Sequence, residues 1–155
     1  KRHECIAEAF AELPTEDAAI CVAAVEHLFH LSDEGKKLEK ECEALFETWV
    51  VAEIAKAHLH RGQRPRLSFY RDSGGLEIDL VLERGTDLVL VEVKSAQTPS
   101  GRYFDAFERL TAAREGQDAP RIARRIVVYG GEESQVRSRG ELLAWRDLDA
   151  FDWTG

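Results

Sequence analysis

Leu76-Glu77-Ile78-Asp79-Leu80-Val81-Leu82-Glu83-Arg84-Gly85-Thr86-Asp87-Leu88-Val89-Leu90-Val91-Glu92-Val93-Lys94-Ser95 has the pattern of a β-hairpin, around which the other elements fall into order. Residues 76–83 alternate apolar and polar, the period of a half-buried strand, and residues 88–95 form a second, valine-rich strand. Arg84-Gly85-Thr86-Asp87 is the turn between them. A two-residue loop at Gly85-Thr86 sets Arg84 opposite Asp87. That register puts Asp79 opposite Glu92 and Glu77 opposite Lys94, with Cβ atoms roughly 4.5–5.5 Å apart. Leu76, Ile78, Leu80 and Leu82 are expected on one face. Glu92 and Lys94, two apart, share a side with each other and with Leu88 and Leu90, so that side is half buried.

Two carboxylates facing each other across a sheet repel, so one must protonate, find a cation or splay away. Lys94 can answer part of that need through Glu77. A divalent ion would answer it for Asp79 and Glu92, since Mg²⁺ takes hard oxygen ligands, commonly one or two carboxylates plus waters and phosphate oxygens. A lysine beside such an ion can orient a water or balance charge developing on phosphorus. The plainer alternative is a set of polar residues on a solvated sheet face, with Lys94 and Glu77 an ordinary cross-strand pair. The half-buried character of the face argues against it, because unpaired charge is costly there.

Outward from the hairpin, a long helix is expected over residues 37–60, with Leu38, Cys42, Leu45, Phe46, Trp49 and Val50 as its apolar stripe and Gly62 as its stop. Glu47 sits at one end of an apolar strip continued by Val50, Val51 and Ile54, where a carboxylate can point onto the sheet. Glu53 is its competitor. Residues 67–72 read as a strand. After the hairpin come a helix over residues 102–114, a buried strand at Ile126-Val127-Val128-Tyr129 ended by Gly130-Gly131, a weaker strand at residues 141–145 and a closing turn. Earlier in the chain, residues 4–13 read as a short helix and residues 15–31 as a second. Ser32-Asp33-Glu34-Gly35 reads as a break between an N-terminal helical segment, residues 1–35, and the main domain, residues 36–155. The expected architecture is α/β, one mixed sheet flanked by helices, in which the strand after the crossover helix can lie parallel to an earlier one.

The 155 residues include 44% apolar side chains, spread evenly enough to exclude disorder as the main state. No apolar run is long enough to span a membrane, and the first residues lack a signal-peptide core. The absence of Met and the start at Lys1 read as a piece of a longer chain. Cys5, Cys21 and Cys42 form no Cys-x-x-Cys pair and no even set, which fits small apolar residues in a reducing cytoplasm. His27 and His30 share a helix face with no evident fourth ligand, and His58 and His60 read as solvated. Lys plus Arg is 21 against 29 for Asp plus Glu, a net charge of −8. That excludes a basic protein that coats nucleic acid. It leaves room for a cleft, because Arg61, Arg64, Arg66 and Arg71 cluster in one stretch and Arg121, Arg124, Arg125, Arg137 and Arg139 in another.

Glu47, Asp79 and Glu92-Val93-Lys94, in that order on helix, second strand and third strand, resemble the PD-(D/E)XK nuclease superfamily. The resemblance implies the restriction-endonuclease-like core, α-β-β-β-α-β, here with extra N-terminal helices. The superfamily often has Pro before the Asp, where this chain has Ile78. The blocks Leu45-Phe46-Glu47-Thr48-Trp49-Val50, Phe69-Tyr70-Arg71-Asp72, Glu77-Ile78-Asp79-Leu80-Val81 and Val91-Glu92-Val93-Lys94-Ser95, with Tyr129-Gly130-Gly131 and Trp145-Arg146, look like a large uncharacterised prokaryotic family. In that family the module lies behind an AAA-type P-loop ATPase. No P-loop signature occurs in these 155 residues.

What the resemblance implies is a Mg²⁺- or Mn²⁺-dependent phosphodiesterase acting on DNA. Asp79 and Glu92 would hold the metal with help from Glu47, Lys94 would position or activate the attacking water, and Glu77 would orient Lys94 or act as an extra ligand. Tyr70, Arg71, Arg102 and Tyr103 are candidate phosphate contacts. The competing expectation is a catalytically inactive module of the same fold that docks to the ATPase, a partner chain or nucleic acid. An unrelated small α/β enzyme is the third. A homo-oligomer is compatible with all of them.

Overall fold

The computed structural model describes residues 33–154. The helices expected over residues 4–31, with Cys5, Cys21, His27 and His30, lie outside them. The long helix α1 runs Asp33–Leu59. The expected break at residues 32–35 is thus overtaken by helix from Asp33 onward. One glycine in a helix costs only about 1 kcal/mol relative to Ala, too little to end a helix with a buried face ahead of it. Cys42, Phe46, Val50 and Ile54 recur every four residues and are all at most 5% exposed, so the expected stripe is the face that α1 lays on the sheet. His58, expected to be solvated, is instead buried, with Nδ1 2.9 Å from the Ile54 carbonyl oxygen.

The sheet is mixed and six-stranded, in the order β1-β2-β3-β4-β6-β5. β1 (Leu67–Arg71), β2 (Glu77–Arg84) and β3 (Asp87–Lys94) form an antiparallel meander. A 3-10 turn, Gly101–Phe104, leads into helix α2 (Asp105–Ala113), which carries the chain across to β4 (Arg121–Tyr129). β4 lies parallel to β3, as the crossover allows, and β6 (Gly140–Ala144) lies parallel to β4. β5 (Gln135–Arg137) pairs with β6 as a three-residue edge strand too short to announce itself in the sequence. α1 covers one face of the sheet. α2 covers the other through Phe107 and Leu110, which meet Leu76, Ile78, Val81, Leu90 and Val127. Among the described residues no helix is long and apolar enough to cross a membrane.

The β2–β3 register is the expected one. Gly85, with φ of +59°, opens a two-residue loop, and Arg84 pairs with Asp87, Leu82 with Val89 and Leu80 with Val91. Past Leu80 the ladder stops. On its other side β2 departs from plain alternation: Ser68 pairs with Val81 but Tyr70 pairs with Ile78, so Phe69 alone faces both Asp79 and Leu80. This is a β-bulge, one extra residue in β2. Its effect on packing is direct. Ile78 and Val81, three apart, both enter the α2 core, while Leu80 and Leu82 enter the α1 core. The expectation that Leu76, Ile78, Leu80 and Leu82 share one face is corrected accordingly.

Candidate functional site

Beyond the last paired residues, β2 and β3 part, and the acidic residues gather in the opening. Asp79 lies in the bulge, and its Oδ2 accepts a hydrogen bond of 2.7 Å from the Val93 backbone N–H. A side chain thus satisfies a β3 donor that the ladder has left. Glu92, one residue earlier on β3, is 5% exposed. Its Oε2 accepts a hydrogen bond of 2.7 Å from Lys94 Nζ, and its Oε1 is buried without a hydrogen-bond partner. The same ammonium stands 3.7 Å from Asp79 Oδ2. One cation therefore serves both carboxylates.

The electrostatics follow from burial. Desolvation, then the charge of Asp79, pushes the Glu92 carboxyl up to about 7 despite the opposing pull of Lys94. Desolvation also raises Glu47, again reinforced by Asp79. For Lys94, burial acts to lower the pKa, but Glu92, Asp79 and Glu43 together outweigh it and hold the ammonium above its ordinary value. All three responses expected of opposed carboxylates are present: the strands splay, a cation is found, and one acid leans toward its protonated form.

The expected Glu77–Lys94 pair does not form. The bulge turns Glu77 away from β3, and its carboxylate pairs with Arg71 on β1 instead. Glu47 reaches the site from α1, whereas Glu53 pairs with Lys56 one turn further on. A groove of about 330 Å³ is lined by Glu43, Glu47, Asp79, Lys94, Ser95 and Tyr103. A second, of about 200 Å³, shares Glu47 and Asp79 and is closed by Phe69, Tyr70, Arg71 and Glu77. Arg102 is exposed and lines neither groove. Tyr103 donates its hydroxyl to the Thr98 carbonyl oxygen at 3.0 Å, which fixes the loop that forms the groove's far wall. Glu43 was not singled out from the sequence, although it lies four residues before Glu47 and so shares its helix face.

The basic residues divide by role. Arg121 pairs with Asp87, Arg124 with Glu141 at 2.6 Å, and Arg139 with Asp105 and Glu108, while Arg125 donates to the Thr111 hydroxyl. That later stretch of arginines is engaged in holding the fold together. Of the earlier stretch, Arg71 lines a groove and Arg66 pairs with Glu83.

Among the described residues, no group of three or more His, Cys, Asp or Glu is placed to hold a metal ion. The donor set that the fold does bring together is two carboxylates, Asp79 and Glu92, the latter with a buried oxygen lacking a partner. That matches the one or two carboxylates by which Mg²⁺ is commonly held. The site is braced from behind by Gly130, whose N–H donates to the Lys94 carbonyl oxygen at 3.0 Å. A Cβ on Gly130 would stand 2.3 Å from the Ser95 carbonyl oxygen, so only glycine lets β4 pass this close to the end of β3.

Residues 42–148 match the family described as "Domain of unknown function (DUF4143)". The chain belongs to this family. No curated protein matches the chain. The DUF4143 span begins at Cys42, on the buried face of α1, and ends at Leu148. It contains the whole meander, the bulge and every residue of the acidic site, including Glu43 and Glu47.

Proposed function

We propose that this DUF4143 domain is a metal-dependent phosphodiesterase acting on DNA, of the PD-(D/E)XK type, and that its α1-β1-β2-β3-α2-β4 order is a restriction-endonuclease-like core. The observation that carries the reading is the convergence of Asp79, Glu92 and Lys94 where β2 and β3 part. Such a carboxylate pair, with one oxygen left unpartnered in a buried place, is a donor set for Mg²⁺ or Mn²⁺. Asp79 and Glu92 would hold the ion, with Glu47 assisting directly or through water. When bound, such an ion polarises a phosphate oxygen and lowers the pKa of a water.

The chain's own residues supply the rest. Lys94 is held by Glu92 and is placed to orient the attacking water or to balance charge developing on phosphorus. Glu77, paired with Arg71, steadies a guanidinium for a neighbouring phosphate rather than Lys94 itself. Tyr103 shapes the groove wall. An AAA-type ATPase on the same longer chain is the partner that this reading expects.

One observation favours a second reading, a docking module without catalysis. Lys94 already answers both carboxylates from within the chain. Titration with Mn²⁺, followed by cleavage assays on plasmid and single-stranded DNA, separates the two. Metal binding that is lost in Asp79→Ala, with cleavage lost in both Asp79→Ala and Lys94→Ala, is the expected result. No binding at millimolar Mn²⁺ overturns the phosphodiesterase reading and leaves the docking module.

A further inference from the structure

A single exposed apolar side chain is ordinary on a protein surface. What distinguishes Phe69 is its place. It lies on β1, an outer strand, and is 76% exposed, whereas Leu67 two residues earlier packs into the α1 core. It is the β1 residue opposite the bulge, so its ring borders the same groove as the Asp79 and Glu47 carboxylates. Arg71, two residues on and therefore on the same side of the strand, lines that groove as well. Arg66, three residues before, falls on the other side and pairs with Glu83. β1 thus offers an aromatic face beside one guanidinium group, that of Arg71, next to the acidic site.

We infer that Phe69 is a stacking platform for an unpaired nucleobase, and that the strand bound across this site is single-stranded nucleic acid. The inference rests on the phosphodiesterase reading of the same residues and adds the substrate class. Bases within a duplex are stacked on each other and offer no face to a ring on a protein surface. Bases of an unpaired strand do, and stacking of this kind tolerates any sequence because every base has a π-face. A base on Phe69 would lie in the groove that Asp79 and Glu47 line, with Arg71 beside it to meet a phosphate. Charge points the same way. Broad duplex binding needs many lysine and arginine contacts, which a chain of net charge −8 does not supply. The Arg71 guanidinium plus stacking suits a single strand. Tyr70 does not share the role, since it packs toward the α2 core.

The test uses fluorescent oligothymidylate, oligouridylate and a DNA duplex, titrated by anisotropy without divalent metal, against wild type, Phe69→Ala and Phe69→Trp. Phe69→Ala is expected to weaken both single strands by about 5- to 150-fold, the equivalent of the ~1–3 kcal/mol that stacking one base contributes. Duplex affinity and Tm should stay unchanged, the latter because the ring is exposed. Phe69→Trp should restore binding, and its added indole fluorescence should be quenched by the oligonucleotide. The two single strands tell DNA from RNA. Equal losses for single strand and duplex, or no loss at all, overturn the stacking role. Cleavage assays on the same variants keep the two ideas apart. Phe69-dependent binding without cleavage in Mn²⁺ defeats the hydrolytic reading alone, and cleavage with Phe69-independent binding defeats the stacking role alone.

Discussion

Asp79 Oδ2 lies 2.7 Å from the backbone nitrogen of Val93 and accepts its hydrogen bond, so a side chain completes a pairing that the two strands have ceased to make. The carboxylate is therefore fixed by the sheet rather than by its rotamer alone. It has one oxygen committed to the backbone on the side from which Lys94 approaches.

Asp79→Ala and Asp79→Asn should separate structure from charge. Alanine leaves the Val93 N–H without an acceptor, a loss of about 1–3 kcal/mol where the group stays buried. Asparagine keeps an acceptor and removes the charge that opposes Glu92. In urea denaturation at pH 8, Asp79→Asn should equal or exceed the wild type while Asp79→Ala falls below it, and both should lose cleavage. Equal destabilisation by the two would show that the hydrogen bond is not what Asp79 contributes.

Glu92 makes stability fall as pH rises. Its folded pKa, about 7, lies above the ordinary 4.5, so between these values the folded state binds more protons than the unfolded. The stabilisation is full below about pH 4.5 and is lost as pH passes through 7. The shift amounts to something on the order of 3 kcal/mol. Glu47, raised in the same direction, acts with it. Glu92→Gln should flatten the profile of unfolding free energy between pH 4.5 and 8. A wild-type profile that is already flat there would count against a buried, raised Glu92.

A metal held by Glu92 must displace that proton, so Mn²⁺ affinity should climb as pH rises through about 7. In Lys94→Met the ammonium that pulls Glu92 down is gone, so Glu92 should titrate still higher. Calorimetric titration at pH 8 should find Mn²⁺ binding weakened by that tighter proton but still present in Lys94→Met, while cleavage disappears. Loss of both together would make Lys94 a brace for the carboxylates and nothing more.

Gly130→Ala tests the brace behind the site. Its Cβ would meet the Ser95 carbonyl oxygen, part of the backbone just beyond Lys94. Overpacking of this kind costs typically 1–3 kcal/mol. Thermal denaturation should register that loss, and cleavage should fall further than in Asp118→Ala, a change at an exposed loop position.

The hairpin register was legible because a two-residue loop at Gly85-Thr86 leaves the strands little freedom to slip. The α1 stripe was legible for a similar reason, since Cys42, Phe46, Val50 and Ile54 repeat one spacing. The bulge was not. Residues 76–80 alternate without interruption, the apolar Val81 that follows is ordinary in a strand buried on both faces, and nothing in Leu76-Glu77-Ile78-Asp79-Leu80 marks an extra residue. Only the demand of two separate cores, one under each helix, makes the strand change phase at Asp79. That is why the meeting of Asp79, Glu92 and Lys94 could be anticipated while Glu77 was assigned the wrong partner. His58 was misread because a helix end that packs against the domain buries what its sequence position suggests is solvated.

The bulge also sets how this stretch tolerates change over time. One surplus residue acts as a phase shift, so the even-numbered residues change sides across it: Leu76 and Ile78 enter the α2 core before it, Leu80 and Leu82 the α1 core after it. A substitution at residue 79 alters one side chain and leaves both cores in place. Loss of the surplus residue would leave Ile78 and Val81 two apart, so plain alternation would keep Leu76, Ile78 and Val81 in the α2 core and Leu80 and Leu82 in the α1 core. Both cores therefore tolerate a straightened strand, and a lineage could discard the acidic chemistry by losing Asp79 and the bulge in one step.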